Sequence, residues 1–193
     1  MSIRHALLAI LDQGPCYGNQ LRAEYNRRTG NAWPLNVGQI YTTLDRLERD
    51  GLVRTGDRDA QGHLFYEISP AGTLEVAEWF ASPVDGQSQS RDDVATLVAL
   101  AVTLPGVDAA AVIRVQLEAA DARVAFLSDS GVGGVDDALA ATIIFDARLG
   151  AAHAEVTWLR AALDRVTTAG ISGGKFPLDT AVPRRGRPRN DAS

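Results

Sequence analysis

Four polar side chains in the stretch Asn36–Gly51 share one face of a helix. With Ile40 at zero and about 100° per residue, Leu44 falls at ~40° and Leu47 at ~340°, an inward stripe; Arg49 falls at ~180°, Thr42 at ~200°, Arg46 at ~240° and Gln39 at ~260°. The chemistry open to such a face is the reading of base edges: glutamine pairs with adenine, arginine with guanine, and threonine touches a thymine methyl. Two of these residues have a structural alternative. Gln39 stands three after Asn36, the spacing of a capping box, and Arg46 stands four before Asp50, the spacing of an intrahelical ion pair.

Around this face lie residues suited to phosphate. Tyr17 and Asn19 open another helix, where free amides and the dipole favour an anion, unless they serve only as caps. Tyr41, at ~100°, either offers its hydroxyl to a phosphate or packs its ring against the domain. Arg58 and His63 sit on a polar turn. The chain ends in Pro183-Arg184-Arg185-Gly186-Arg187-Pro188-Arg189. Its Arg185 and Arg187, flanking glycine, are similar to an AT-hook for a narrow A·T-rich minor groove; the alternative is a basic tail giving nonspecific attraction.

Catalytic constellations are missing from the sequence. His5, His63 and His153 have no metal-like spacing, and no serine stands in a nucleophile elbow. Gly174-Lys175 fails as a phosphate loop, with Ala169 and Phe176 at its required glycine and hydroxyl positions. Asp92-Asp93 and Asp136-Asp137 begin helices, where capping accounts for them. No enzyme, metal or cofactor is expected. The single Cys16 cannot form an internal disulfide and reads as a buried thiol or, alternatively, a redox sensor.

The elements that position these residues follow from periodicity and punctuation. A first helix runs from Ser2 to about Asp12 and stops at Gly14-Pro15; a second spans Tyr17–Thr29, before Gly30; Pro34 enforces a turn; and the third is the helix of Asn36–Gly51. Leu52-Val53-Arg54 and Leu64–Ile68 predict two strands joined by the turn Gly56–Gly62. Ser69-Pro70 starts a returning helix carrying Leu74, Ala77 and Trp79, and a polar linker, Ser82–Ser90, follows.

Beyond the linker the pattern is helical at about 92–103, 108–127 and 136–168, with Pro105-Gly106 and Gly131–Gly134 between. The middle helix has two apolar stripes, Val112, Val115, Ala119 and Phe126 against Ile113, Leu117, Val124 and Leu127. The last, about 50 Å long, carries Leu139, Ile143, Leu149, Val156, Leu159 and Leu163. Too little chain remains to cover both, so a second copy is the expected cover. Trp79, Phe145 and Trp158 either line a pocket for a small molecule or are ordinary core.

The net charge of −5 over 193 residues is uneven: −2 over 1–80, −6 over 81–183 and +3 over 184–193. Attraction to nucleic acid would have to come from local stripes. No run approaches a membrane-spanning length and no signal-peptide layout is seen, so a cytoplasmic protein is expected.

Three helices, a two-stranded wing and a returning helix, in that order, are the winged helix-turn-helix layout. The segments Leu7–Leu11, Gly14–Leu21, Trp33–Tyr41, Leu44–Val53 and Tyr66–Gly72 resemble the PadR family of bacterial transcriptional regulators. That resemblance covers about residues 3–80, and the remainder, with Glu155–Leu159, is similar to the C-terminal dimerisation region of longer members. It implies a dimeric repressor of an inverted-repeat operator on double-stranded DNA, released by a small aromatic effector. One departure stands out: the wing tip Gln61-Gly62-His63-Leu64 lacks the family's usual basic residues and leaves only Arg58. The expected architecture is therefore mainly α: a winged helix-turn-helix with a two-stranded β-wing at 1–81, an all-helical dimerisation domain at 91–169, and a tail at 170–193. The rival is an architectural or protein-interaction module in which only the tail touches DNA.

Overall fold

The computed structural model describes residues 2–84, 91–130, 138–168 and 176–179. Seven helices and a small sheet follow one another: α1 (Ser2–Leu11), β1 (Cys16–Tyr17), α2 (Gly18–Arg28), α3 (Val37–Arg49), β2 (Val53–Arg58), β3 (Leu64–Ile68), α4 (Pro70–Ala81), α5 (Arg91–Thr103), α6 (Ala109–Ser130) and α7 (Ala138–Thr168). The fold is mainly helical, as its periodicities predict.

α1 is the axle of the N-terminal half. Ala6 through Leu11 are all buried, so the helix is apolar all round and must be surrounded, which α2, α3, α4, α5 and β3 accomplish. Ile40, Leu44 and Leu47 of α3 are wholly buried in the same core, the inward stripe that sequence predicts. α4 starts on Ser69, whose hydroxyl accepts from the Gly72 amide, with Pro70 at its first turn. Gly72 lets α4 approach the β2 entrance: a Cβ there would sit 2.4 Å from the Leu52 carbonyl oxygen. This seating turns Val76 inward and leaves Leu74 71% exposed.

The sheet is larger than a two-stranded wing. β2 continues to Arg58, which shortens the connecting turn to residues 59–63, and β1 adds a third strand in the order β1-β3-β2. All pairings are antiparallel, with Cys16 opposite Tyr66, Tyr17 opposite Phe65 and Val53 opposite Ile68. A two-residue strand has too little pattern to announce itself.

α5 belongs to both halves. Its Leu100, with Leu104 just beyond its end, packs into the core around α1, while Val94, Leu97, Val98 and Ala101 join a second core with Val112, Ile113 and Ala120 of α6 and Val156, Leu159 and Val166 of α7. α6 and α7 run antiparallel, because Arg123 pairs with Glu155 and Asp121 with Arg160. Continuing that register brings Ser130 level with about residue 149, so roughly three turns of α7 run past the end of α6. There Leu139, Ile143 and Ile144 are 75%, 56% and 62% exposed. Leu139, Ile143 and the 69%-exposed Phe126, which the sequence puts on apolar stripes needing cover, thus stay largely exposed among the described residues of one chain. Among the described residues no helix is long and apolar enough to cross a membrane.

Candidate nucleic-acid interface

α3 is fixed at its start by a capping box. The Asn36 side chain accepts from the Gln39 amide at 2.8 Å, and the Gln39 side-chain carbonyl accepts from the Asn36 amide at 3.0 Å. Both side chains stay exposed but are turned onto the backbone, so of the two readings of Gln39 the capping one describes this chain without a partner.

Arg46 is the opposite case. Its alternative partner, Asp50, pairs with Arg4 of α1 instead. Among the described residues Arg46 has no ion pair, and it stands exposed on the same face as Thr42 and Arg49. Val37, 44% exposed one turn before Tyr41, adds an apolar edge that the periodicity argument passed over. Periodicity alone puts it at ~60°, on the border of the buried stripe; its place as the first residue of α3 leaves it exposed.

Tyr41, 42% exposed, packs its ring against the first residue of α2. A Cβ on Gly18 would lie 2.7 Å from the Tyr41 Cζ and 2.8 Å from its hydroxyl oxygen, so glycine there admits the ring. The phenol is thereby held at the N-terminal end of α2, beside exposed Asn19.

Tyr17 is placed differently from the expectation of a phosphate contact. It is 7% exposed, its ring stacked on His63 at 4.5 Å and edge-on to Phe65 at 5.6 Å, and its side chain makes no capping bond. Burial raises its hydroxyl pKa, and the carboxylates of Asp59 and Asp179 raise it further. His63 is likewise built into the wing root, with Nδ1 2.8 Å from Asp59 Oδ2. Desolvation works against the ionised Asp59, but hydrogen bonds from the His63 ring and from the His63 and Gln61 amides hold its carboxyl below the ordinary value. Arg58 remains exposed and donates to the Gly62 carbonyl at 2.8 Å. The neighbouring Arg54 is paired with Glu67 at 2.6 Å, so the wing carries little free positive charge.

The aromatics proposed for an effector do not converge. Phe145 and Trp158 lie thirteen residues apart on α7, roughly 20 Å along its axis, and Trp79 lies on α4, stacked on His5 and packed against Phe80. A cleft of about 620 Å³ opens elsewhere, between α1, α4 and the α5–α6 turn, lined by Val76, Phe80, Leu104, Val107, Val112 and Val115 among others. Arg185 and Arg187 lie outside the described residues. Cys16 is wholly buried, and burial, with Glu24 adding and Arg28 opposing, pushes its thiol up to about 12.

Residues 7–78, the segment that builds this whole surface, match the model of the transcriptional regulator PadR-like family. The match to this family covers a little over a third of the chain. A probable transcriptional regulator of Mycobacterium tuberculosis, Rv1176c, is 30% identical over 99 residues, covering 50% of this chain and 52% of that relative, so the match spans about half of each. Among solved structures, Bacillus subtilis PadR in complex with operator DNA superposes at TM-score 0.39 with 18% identity, over 84% of this chain and 96% of that one. The same protein in complex with p-coumaric acid gives TM-score 0.39 and 17% identity over 86% and 99%. These are loose whole-chain superpositions, and the likeness to the family stands on the sequence match over residues 7–78.

Proposed function

We propose that this chain is a dimeric, sequence-specific DNA-binding regulator that represses transcription from an inverted-repeat operator. One observation carries the DNA reading: among the described residues Arg46, on the outer face of α3 beside Thr42, has no ion pair, because Arg4 has taken the carboxylate that would have neutralised it. An unpaired arginine on the second helix of a helix-turn-helix is placed to meet a guanine edge in the major groove. Thr42 supplies a methyl contact, and Tyr41 and Asn19 reach for the backbone phosphates. Dimerisation is supported by the exposed apolar start of α7, which a second copy would bury.

Release by a small, apolar effector is part of the same proposal. The cleft beside Phe80 falls within the size range of small-molecule sites and touches both cores, so a molecule wedged there would change the angle between the winged helix and the dimer helices. The deciding experiment is a fluorescence-anisotropy titration of the protein onto the DNA upstream of its own gene, against a scrambled duplex, with Arg46→Ala alongside. Binding that resists the scrambled competitor and collapses in the variant supports the reading. Equal, salt-sensitive binding to both duplexes sinks it.

A further inference from the structure

The outer face of α2 is occupied by a piece of the chain from 150 residues away. Residues 176–179, Phe-Pro-Leu-Asp, lie along α2 in extended form, and side chains of α2 hold their main chain at successive points. Arg28 Nη2 donates to the Phe176 carbonyl at 2.7 Å and Arg27 Nη2 to the Pro177 carbonyl at 3.0 Å. Glu24 Oε1 accepts from the Asp179 amide at 3.1 Å, and Gln20 Nε2 donates to the Asp179 carbonyl at 2.8 Å. Positions 20, 24, 27 and 28 fall on one helical face. Proline at 177 has no amide to leave unpaired and favours the extended backbone.

Side chains complete the fit. Leu178 packs against the core around α1, reaching so near Gly14 that a Cβ there would be 3.3 Å from its Cδ1. The Arg27 guanidinium lies 5.3 Å over the Phe176 ring. Beneath the segment Glu24 and Arg28 form a pair with side chains only 2% and 0% exposed, at 2.9 Å. Arg28 spends its remaining donors on the carbonyls of Thr103 and Phe176, so the segment satisfies a cation that would otherwise be buried short of a partner.

The direction of the segment has a consequence. It runs antiparallel to α2, from Arg28 at the C-terminal end to Gln20 near the N-terminal end, and Asp179 lies within electrostatic reach of Tyr17 at the wing root. The fourteen residues that follow carry Arg184, Arg185, Arg187 and Arg189. We propose that α2 is a docking site for the chain's own Phe176–Asp179, and that this docking makes the wing root the starting point of the four-arginine end, supplying the positive charge the wing lacks. The second half rests on the DNA-binding reading above. Asp179 stands five residues before Arg184, where Thr168 stands sixteen before it, so the docked segment anchors the arginines from much nearer in the chain.

Hydrogen exchange on the full chain reads the docking without DNA. The Asp179 amide is expected to exchange at least tenfold more slowly than in an unstructured peptide, and Leu178→Asp to abolish that protection. Phe176→Ala, which alters only a half-exposed ring, serves if Leu178→Asp fails to fold and is expected to lose part of it. An unprotected Asp179 amide in the wild-type chain overturns the docking. For the second half, Leu178→Asp should weaken operator binding about threefold and lower its salt dependence in the wild-type background. It should do neither once the four arginines are replaced by glutamine. An equal loss in both backgrounds overturns the placement of the basic end. No DNA binding by any variant, with the Asp179 amide still protected, overturns that half together with the DNA reading and leaves the docking intact.

Discussion

α2 and α3 are adjacent helices of one helix-turn-helix, each carries arginines, and they use them in opposite ways. On α2, Arg28 is buried against Glu24, and Arg27 donates to the same carboxylate and to the Pro177 carbonyl. On α3, Arg46 is exposed and has no ion pair among the described residues. A basic residue near a DNA-reading surface is therefore not a DNA contact by virtue of its charge. What decides is whether the fold has already supplied its anion, since a desolvated pair gains nothing from a phosphate while an unpaired guanidinium can exchange water for a base or a phosphate.

The contrast can be broken most forcefully at Arg28. Replacing it by alanine leaves the buried Glu24 carboxylate to Arg27 and the Asp179 amide alone and should cost about 1.5–3 kcal/mol of stability, read as a fall in the denaturation midpoint. The fraction still folded should bind DNA with no more than the roughly threefold loss expected of an undocked Phe176–Asp179; a larger loss of operator affinity at unchanged stability would place Arg28 in the interface. Arg46→Ala should do the reverse. Operator affinity should drop by about 1–3 kcal/mol while the melting curve stays where it is, because an exposed, unpaired side chain contributes little to folding.

At the seam between the two helices, Gly18→Ala forces a methyl against the Tyr41 ring and should cost about 1–2 kcal/mol of stability. It should also weaken DNA binding in proportion to the displacement of the ring, and Tyr41→Ala in the same background should restore the stability. The smallest change sharpens the comparison rather than breaking it. Arg54 is 73% exposed and paired with Glu67, so Glu67→Gln should shift stability by less than about 0.5 kcal/mol. If pairing is what withholds an arginine, the freed Arg54 should raise affinity for any duplex severalfold at low salt, with no gain in sequence preference.

Legibility in the sequence followed the range of the forces. α3, its inward stripe and its polar face, the caps at Asn36 and Ser69, and the wing were readable because each is set by residues within one or two turns. The pairing of β1 with β3, the division of α5 between two cores and the seating of Phe176–Asp179 on α2 depend on neighbours from tens of residues to about 150 away. Glu24 and Arg28 do stand at ion-pair spacing, but spacing cannot say that a distant segment buries the pair. Tyr17 was misplaced for a related reason: at a helix start it looks like a phosphate contact until His63, brought across the sheet, covers its ring.

In the proposed dimer the overhang of α7 would tie the molecule's integrity to its abundance. A helix whose first three turns find no cover among the described residues of their own chain would then be completed by an encounter, and encounters scale with the square of concentration. Dilution should lower the melting temperature, and operator occupancy should fall more steeply than the amount of protein. A modest drop in copy number would then act as a switch, and a fresh chain would carry an adhesive end until it met its twin.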